Sequence, residues 1–262
     1  MAEEFIIVSL TDGIASVALN RPEKRNAMHG PLIKELSQIL KKLATDNSHL
    51  LIIHGKGEHF CAGGDIDWMK KMATSSETEN YDDAQALADL LYQLYTFPKP
   101  TIVLAQGATL GGGLGLLAAA DIAIAAKNTV FGLPEVKVGL TPSIISPYVI
   151  AAIGERMAHY YFLTGERFGV EIAYQMNLIH QIAEDDALTS SGMTVAQKLL
   201  QNSPHALKIA KQLIRHVAKE EINEPLVQKT AEHLAELRTT PEAQEGLKAF
   251  LEKRLPKWST QN

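Results

Sequence analysis

Cysteine is almost missing from this chain: Cys61 is the one such residue in 262. No internal disulfide can form, and a reducing compartment, the cytoplasm, is expected. Long apolar runs are also missing. The longest, around Leu114 to Ala126, is broken by Asp121 and is expected to be buried core rather than a membrane span. The opening MAEEFIIVSL is acidic and short in apolar length, so no secretory leader is expected. There is no basic block, and the net charge is −5. That argues against nucleic acid or an anionic membrane as the main partner. Internal repeats and low-complexity segments are lacking too. His54 and His59 straddle GKGE without a third ligand, so no metal site is expected. Cys61 has no identifiable histidine to activate it and is expected to be an inert buried thiol.

What is present fits one large soluble domain, or one with a smaller attached part. FIIVSL and IASVALN read as strands around the turn signal TDG. Pro31 opens a helix whose Leu32, Ile33, Leu36, Ile39, Leu40 and Leu43 share one face. HLLIIHG, TIVLAQG and DIAIAA read as buried strands. DIDWMKKM and DAQALADLLYQLYTF read as helices, with ATSSETEN expected as a polar, mobile loop between them. Strand and helix in alternation imply right-handed crossovers and an α/β layered core. After about Leu140 almost everything reads as helix, from AAIGERMAHYYFLTG to PEAQEGLKAFLEKRL, the last with Thr240 and Pro241 as cap and first turn.

The informative stretch is QGATLGGGLGLLAAAD, Gln106 to Asp121. Three consecutive glycines open an apolar helix, and such a cluster marks a tight turn or a close approach of backbone to a ligand. A dinucleotide fingerprint is one reading: Gly113, Gly115 and Ala118 fit G-x-G-x-x-A, and Glu135 lies twenty residues beyond Gly115. ATL and the extra glycines spoil the tight turn that motif needs, and the acid should end the next strand, which stops near Ala126. Close helix–sheet packing is the plainer alternative. However, FCAGGD, Phe60 to Asp65, is a second glycine turn after a strand. Two such turns can converge their backbone N–H groups on one oxygen that gains negative charge.

LNRPEKRNAM, FCAGGDI, GATLGGGLGLLAAADIAIAA and FGLPEVKVGLTP, in this order over about residues 5 to 165, resemble successive motifs of the crotonase, or enoyl-CoA hydratase/isomerase, superfamily. AFLEKRLPKW resembles its C-terminal helix. The resemblance implies an α/β fold, a spiral of ββα units over residues 1–200 with a helical trimerisation region over 201–262. It implies acyl-coenzyme A substrates, no cofactor beyond that coenzyme, and a homotrimer or dimer of trimers. It places the two oxyanion donors at Gly64 and Gly112 and one catalytic glutamate at Glu135. Hydratases of the family usually carry a first glutamate as well, at the position of Gly115 here. The resemblance also assigns Lys24, Arg25, Ala62, Ile66 and Gly115 to the substrate. Phe250 and Lys253 would reach a coenzyme A site, Lys253 on a neighbouring subunit.

For each of these positions there is a plainer role. Glu135 could be an exposed or capping carboxylate, but its apolar flanks and Pro134 favour a partly buried acid. Lys24 and Arg25 could be ordinary surface cations, and Ala62 and Ile66 ordinary packing. Asp65 is expected to cap the following helix. One glutamate can hydrate a double bond, or shuttle a proton along an allylic system. The expected activity is therefore addition of water to an enoyl-CoA. The alternatives are an enoyl-CoA isomerase and a non-catalytic acyl-CoA or RNA-binding protein. GLTPSIISPYVIAAIGERMAHYYFLTGERF and AGGDIDWMKKM resemble bacterial 3-methylglutaconyl-CoA hydratases of leucine degradation. Lys70 and Lys71 are then candidates for that substrate's second carboxylate. Phe250 and Trp258 are expected to be exposed without a clear partner in their own chain.

Overall fold

The computed structural model describes residues 4–260. It opens with a hairpin, β1 (Ile6–Thr11) and β2 (Ile14–Leu19), paired antiparallel from Ile6↔Leu19 to Thr11↔Ile14. Asp12 and Gly13 have φ of 50° and 75°, the left-handed pair that a two-residue turn of the right twist requires. Helix α1 (Gly30–Leu43) buries Leu32, Leu36, Leu40 and Leu43 and returns the chain to β3 (Leu50–Gly55), parallel to β2. Next come α2 (Ile66–Ala73), α3 (Glu77–Tyr95), β4 (Thr101–Ala105) and β5 (Ala108–Leu110). They are followed by α4 (Gly112–Ala119), β6 (Ile122–Ala126), β7 (Val130–Gly132), α5 (Ser146–Thr164) and β8 (Arg167–Gly169). The chain ends with α6 (Val170–Gln175), β9 (Gln181–Ala183), α7 (Leu188–Leu200), α8 (Pro204–Val217), α9 (Glu224–Arg238) and α10 (Pro241–Leu251).

Two sheets result. The large one runs β1-β2-β3-β4-β6-β9, parallel after the opening hairpin. The small one runs β5-β7-β8 and is continued by the single bridges Cys61↔Thr109 and Met28↔Gly64. Strand, short strand, helix is thus the repeating unit: β4-β5-α4, then β6-β7-α5. The chain winds as a spiral of ββα units. Side chains alternate across the large sheet, because successive residues of a strand point to opposite faces. Val17, Leu51, Ile53 and Val103 face the main core beneath α1, α3 and α4. Ile14, Ile52, Ile102, Leu104 and Ile124 meet Leu188 and Ala196 of α7 on the other side.

The last helices are tied to this core by a buried cation. Lys211 on α8 donates to Asp121 Oδ2 at 2.6 Å and to the Lys99 carbonyl at 3.2 Å. The same Asp121 oxygen accepts from the Thr101 amide and hydroxyl, each at 2.8 Å. Arg215 donates to the Tyr95 carbonyl at 2.6 Å and lies over the Tyr95 ring. Leu200 ends α7, and a short turn leads from it to α8. Among the described residues, no helix is long and apolar enough to cross a membrane.

Four local expectations are corrected. The segment 73–80 is not one long loop, because α3 begins at Glu77. Ser76 Oγ accepts from the Glu79 amide at 3.3 Å and Glu79 Oε2 accepts from the Ser76 amide at 2.8 Å, a reciprocal cap already written in SETE. The region after Leu140 is not all helix, since β8 and β9 are short strands on sheet edges. Helix α5 is kinked at Gly154, where φ is 73°. Trp258 does have a partner in its own chain: its Nε1 donates to the Gln201 carbonyl at 3.2 Å and its ring packs on Gly246.

Candidate active site

The two glycine turns are stapled side by side. The Cys61 amide donates to the Ala108 carbonyl at 3.1 Å, and the Leu110 amide donates to the Cys61 carbonyl at 3.0 Å. Gly63 and Gly111 take left-handed φ, 99° and 48°, at the two bends. They also approach closely: a Cβ on Gly111 would sit 3.8 Å from the Gly63 Cα. It is the sign of φ that favours glycine at both bends, since 3.8 Å is an ordinary van der Waals contact.

Each turn leaves one amide unused. On the Met28 side, the Met28 amide donates to the Gly63 carbonyl and the Asp65 amide to the Met28 carbonyl. In such a bridge the residue between, Gly64, turns its own N–H away from Met28. Gly112 is the first residue of α4, where amides have no partner within the helix. No acceptor meets the Gly64 or the Gly112 amide among the described residues. The Gly112 amide stands at the positive end of α4, a place that favours an oxygen carrying negative charge. Gly113 behind them fills a different need. A Cβ there would fall 2.7 Å from Cys61 Cβ, so the second turn could not pack against the first. Cys61 is fully buried and its thiol is pushed up to about 12 by burial, so it stays protonated and inert.

Glu135 lies in a 3-10 turn, Pro134–Val138, directly after β7. The Gly111 amide donates to the Gly132 carbonyl at 3.0 Å, which brings the end of β7 to the start of α4. Glu135 Oε1 is 3.0 Å from the place where a Gly111 Cβ would be. Oε2 is buried without a hydrogen-bond partner. Burial raises the Glu135 carboxyl above the ordinary glutamate value, opposed only by its own backbone amide. A carboxyl that is neither ion-paired nor fully hydrated is suited to taking a proton and giving it back.

Asp65 is kept out of this chemistry. Its Oδ1 accepts from the Asp67 and Trp68 amides at 2.9 and 3.1 Å and caps α2. Its Oδ2 pairs with Arg21 at 3.0 Å. Burial alone would raise its carboxyl, but the Trp68 amide and the Arg21 guanidinium hold it below the usual range.

Beside the turns lies a cleft of about 460 Å³. Lys24, Arg25, Ala62, Gly64 and Ile66 all line it. Lys24 is engaged on the surface with Asp67 at 3.0 Å. Ile66 is 71% exposed. The cleft also contains Arg167, which sequence reasoning missed. Its residue pairs with Gly132 across β7 and β8, so the small sheet carries a cation to the same opening. No carboxylate pairs with it among the described residues. A lone arginine inside a largely helical reading gave no signal; only the missed strand β8 places it.

Three expected residues lie elsewhere. Gly115 does not line this cleft; a Cβ there would run into Ile145 Cγ2 and lie 3.3 Å from Leu91 Cδ1. The position that resemblance reserves for a first glutamate therefore has neither a side chain nor room for one. Phe250 is 81% exposed and neither it nor Lys253 lines the cleft of its own chain. The cations expected to meet a second substrate carboxylate are engaged as well. Lys70 pairs with Asp67 at 3.5 Å and Lys71 lies over the Trp68 ring at 4.5 Å.

A family model described as enoyl-CoA hydratase/isomerase matches residues 9–261. The chain belongs to the enoyl-CoA hydratase/isomerase family. It is similar to the 2,3-dehydroadipyl-CoA hydratase of Escherichia coli, 31% identical over 96% of this chain and 97% of the relative. The short-chain-enoyl-CoA hydratase of Clostridium acetobutylicum is 30% identical over 95% of each. Among solved structures, an enoyl-CoA hydratase from Shewanella pealeana superposes with a TM-score of 0.94 and 40% identity, covering 97% of this chain and 96% of that one. The spiral of ββα units is the crotonase fold.

The raised Glu135 carboxyl fixes the sign of a pH effect. Between the unfolded value, near 4.5, and the raised folded value, the native state binds more protons, so stability falls as pH rises. Glu135→Gln mimics the protonated form. The variant should melt at a higher temperature than the parent at neutral pH, and the two should converge at about pH 4. Melting curves across this range provide the check.

Proposed function

We propose that the chain is an enoyl-CoA hydratase in which Glu135 is the sole acid–base group. What carries this reading is a buried, unpartnered carboxylate oxygen beside two amides without acceptors. The thioester oxygen accepts from the Gly64 and Gly112 amides. Glu135 takes a proton from water, and the hydroxide adds to the β carbon of the unsaturated acyl group. The electron pair moves into the thioester, whose oxygen becomes an enolate. The two amides favour that charge more than the neutral carbonyl; one such donor is worth about 3 kcal/mol of barrier. Glu135 then returns the proton to the α carbon. Hydrogen and hydroxyl reach the same face, because one carboxyl serves both. Arg25 and Arg167 at the cleft suit the phosphates of coenzyme A.

The acyl group we propose is uncharged. A dicarboxylic group such as 3-methylglutaconyl would need a cation at its far end, and Lys70 and Lys71 lie on the exposed side of α2 against Asp67 and the Trp68 ring. The geometry around Met28, Leu87 and Ile145 is apolar instead. We also propose that Phe250 and Lys253 complete the coenzyme site of a neighbouring subunit in a trimer. Phe250, Leu251 and Leu255 are all well exposed on one chain, which supports a partner surface.

A panel of straight-chain, β-methyl and 3-methylglutaconyl enoyl-CoA thioesters, followed by product mass, tests the reaction. Gain of one water on the uncharged members is expected. Glu135→Gln should lower turnover at least about a hundredfold while leaving acyl-CoA binding in place. A double-bond shift without hydration would instead make the protein an isomerase. Light scattering should show a trimer or a multiple of one; a fully active monomer would refute the shared site.

A further inference from the structure

The start of α4 presents one face to the reaction. Gly112 and Gly115 are three residues apart in α4 and share it, with Gly111 just before the helix begins. Each place on this face is covered by a different side chain. Glu135 Oε1 sits over Gly111, at 3.0 Å from its Cβ position. Met28 Sδ sits over Gly112, at 2.8 Å. Ile145 sits over Gly115, with its Cβ at 3.0 Å from that position and its Cγ2 closer still. Three residues of helix rise about 4.5 Å, so the place that Ile145 covers lies just under one turn along α4 from Gly112.

An acyl group with its carbonyl oxygen on the Gly112 amide must place its α and β carbons under Glu135. What extends beyond those carbons then runs along this face toward Gly115. Ile145 stands there, 3% exposed and immediately before α5, packed with Leu91. We propose that Ile145 is the residue that sets which acyl groups the site accepts, by closing the end of the acyl crevice with its branched side chain. The proposal rests on the hydratase reading. It goes further in naming the wall that decides the shape of the acyl group. Substituents at the β carbon and chains beyond four carbons meet this wall first.

Two substitutions should move the preference in opposite directions. Ile145→Ala opens the crevice. The ratio of kcat/KM for a β-methyl or six-carbon enoyl-CoA to that for the straight four-carbon one should rise about tenfold or more, the scale of methylene discrimination in an apolar pocket. Gly115→Ala adds a methyl that presses on Ile145 from the helix side, and should lower the same ratio. Loss of general stability would shift all substrates alike and leave the ratio fixed. Should Ile145→Ala fail to fold, Ile145→Val decides the matter, with a rise of about threefold expected in the same direction. Hydration by the parent with a ratio unmoved in the folded variants overturns the role of Ile145 alone. No hydration by the parent on any thioester overturns the hydratase reading and this role together.

Discussion

Everything at the site depends on one backbone pairing, the exchange between Cys61 and the strand residues Ala108 and Leu110. Those two hydrogen bonds belong to no long sheet, yet they hold two strand-to-helix turns in register. Without them the Gly64 and Gly112 amides would have no common target. The same pairing explains the glycines. Gly63 and Gly111 bend the chain through left-handed φ, and Gly113 lets α4 lie against Cys61. Glycine costs about 1 kcal/mol relative to alanine in a helix interior. Here that cost sets two turns side by side, with Gly64 in the wall of the cleft.

The electrostatics follow from this frame. A helix start and two free amides make a place that favours a negative oxygen. Glu135 stands close by, and burial raises its carboxyl above the ordinary glutamate value. The other acids are disarmed by specific partners. Asp65 is tied to Arg21 and its own helix, Asp67 to Lys24, and Asp121 to Lys211. Glu135, beside the two turns, keeps a buried oxygen without a hydrogen-bond partner.

Much of this was legible in the residues. The hairpin at TDG, the helical face of α1 and the alternation of strand and helix all come from local periodicity and turn chemistry. The two glycine turns were visible as pairs, and the place of Glu135 after a strand was visible too. What the residues could not show was contact across the chain. Nothing in GLTPSIIS marks Ile145 as the occupant of the space over Gly115. Nothing in TGERFG marks Arg167 as a wall of the cleft, because a three-residue strand is too short for a pattern. The start of α3 is different: Ser76 and Glu79 form a capping box that local rules recognise, and the polarity of the stretch hid it. Phe250 and Lys253 mark the opposite limit, because one chain alone does not bring them to its cleft.

The central claim is that Gly64 and Gly112 together hold the oxygen on which charge develops. A structure of the protein with a slowly reacting acyl-CoA thioester tests it most directly. The account predicts the thioester oxygen at about 2.7 to 3.1 Å from both amide nitrogens, with Glu135 facing the α and β carbons. A thioester oxygen that meets neither amide, with the acyl group bound elsewhere along the cleft, would contradict it.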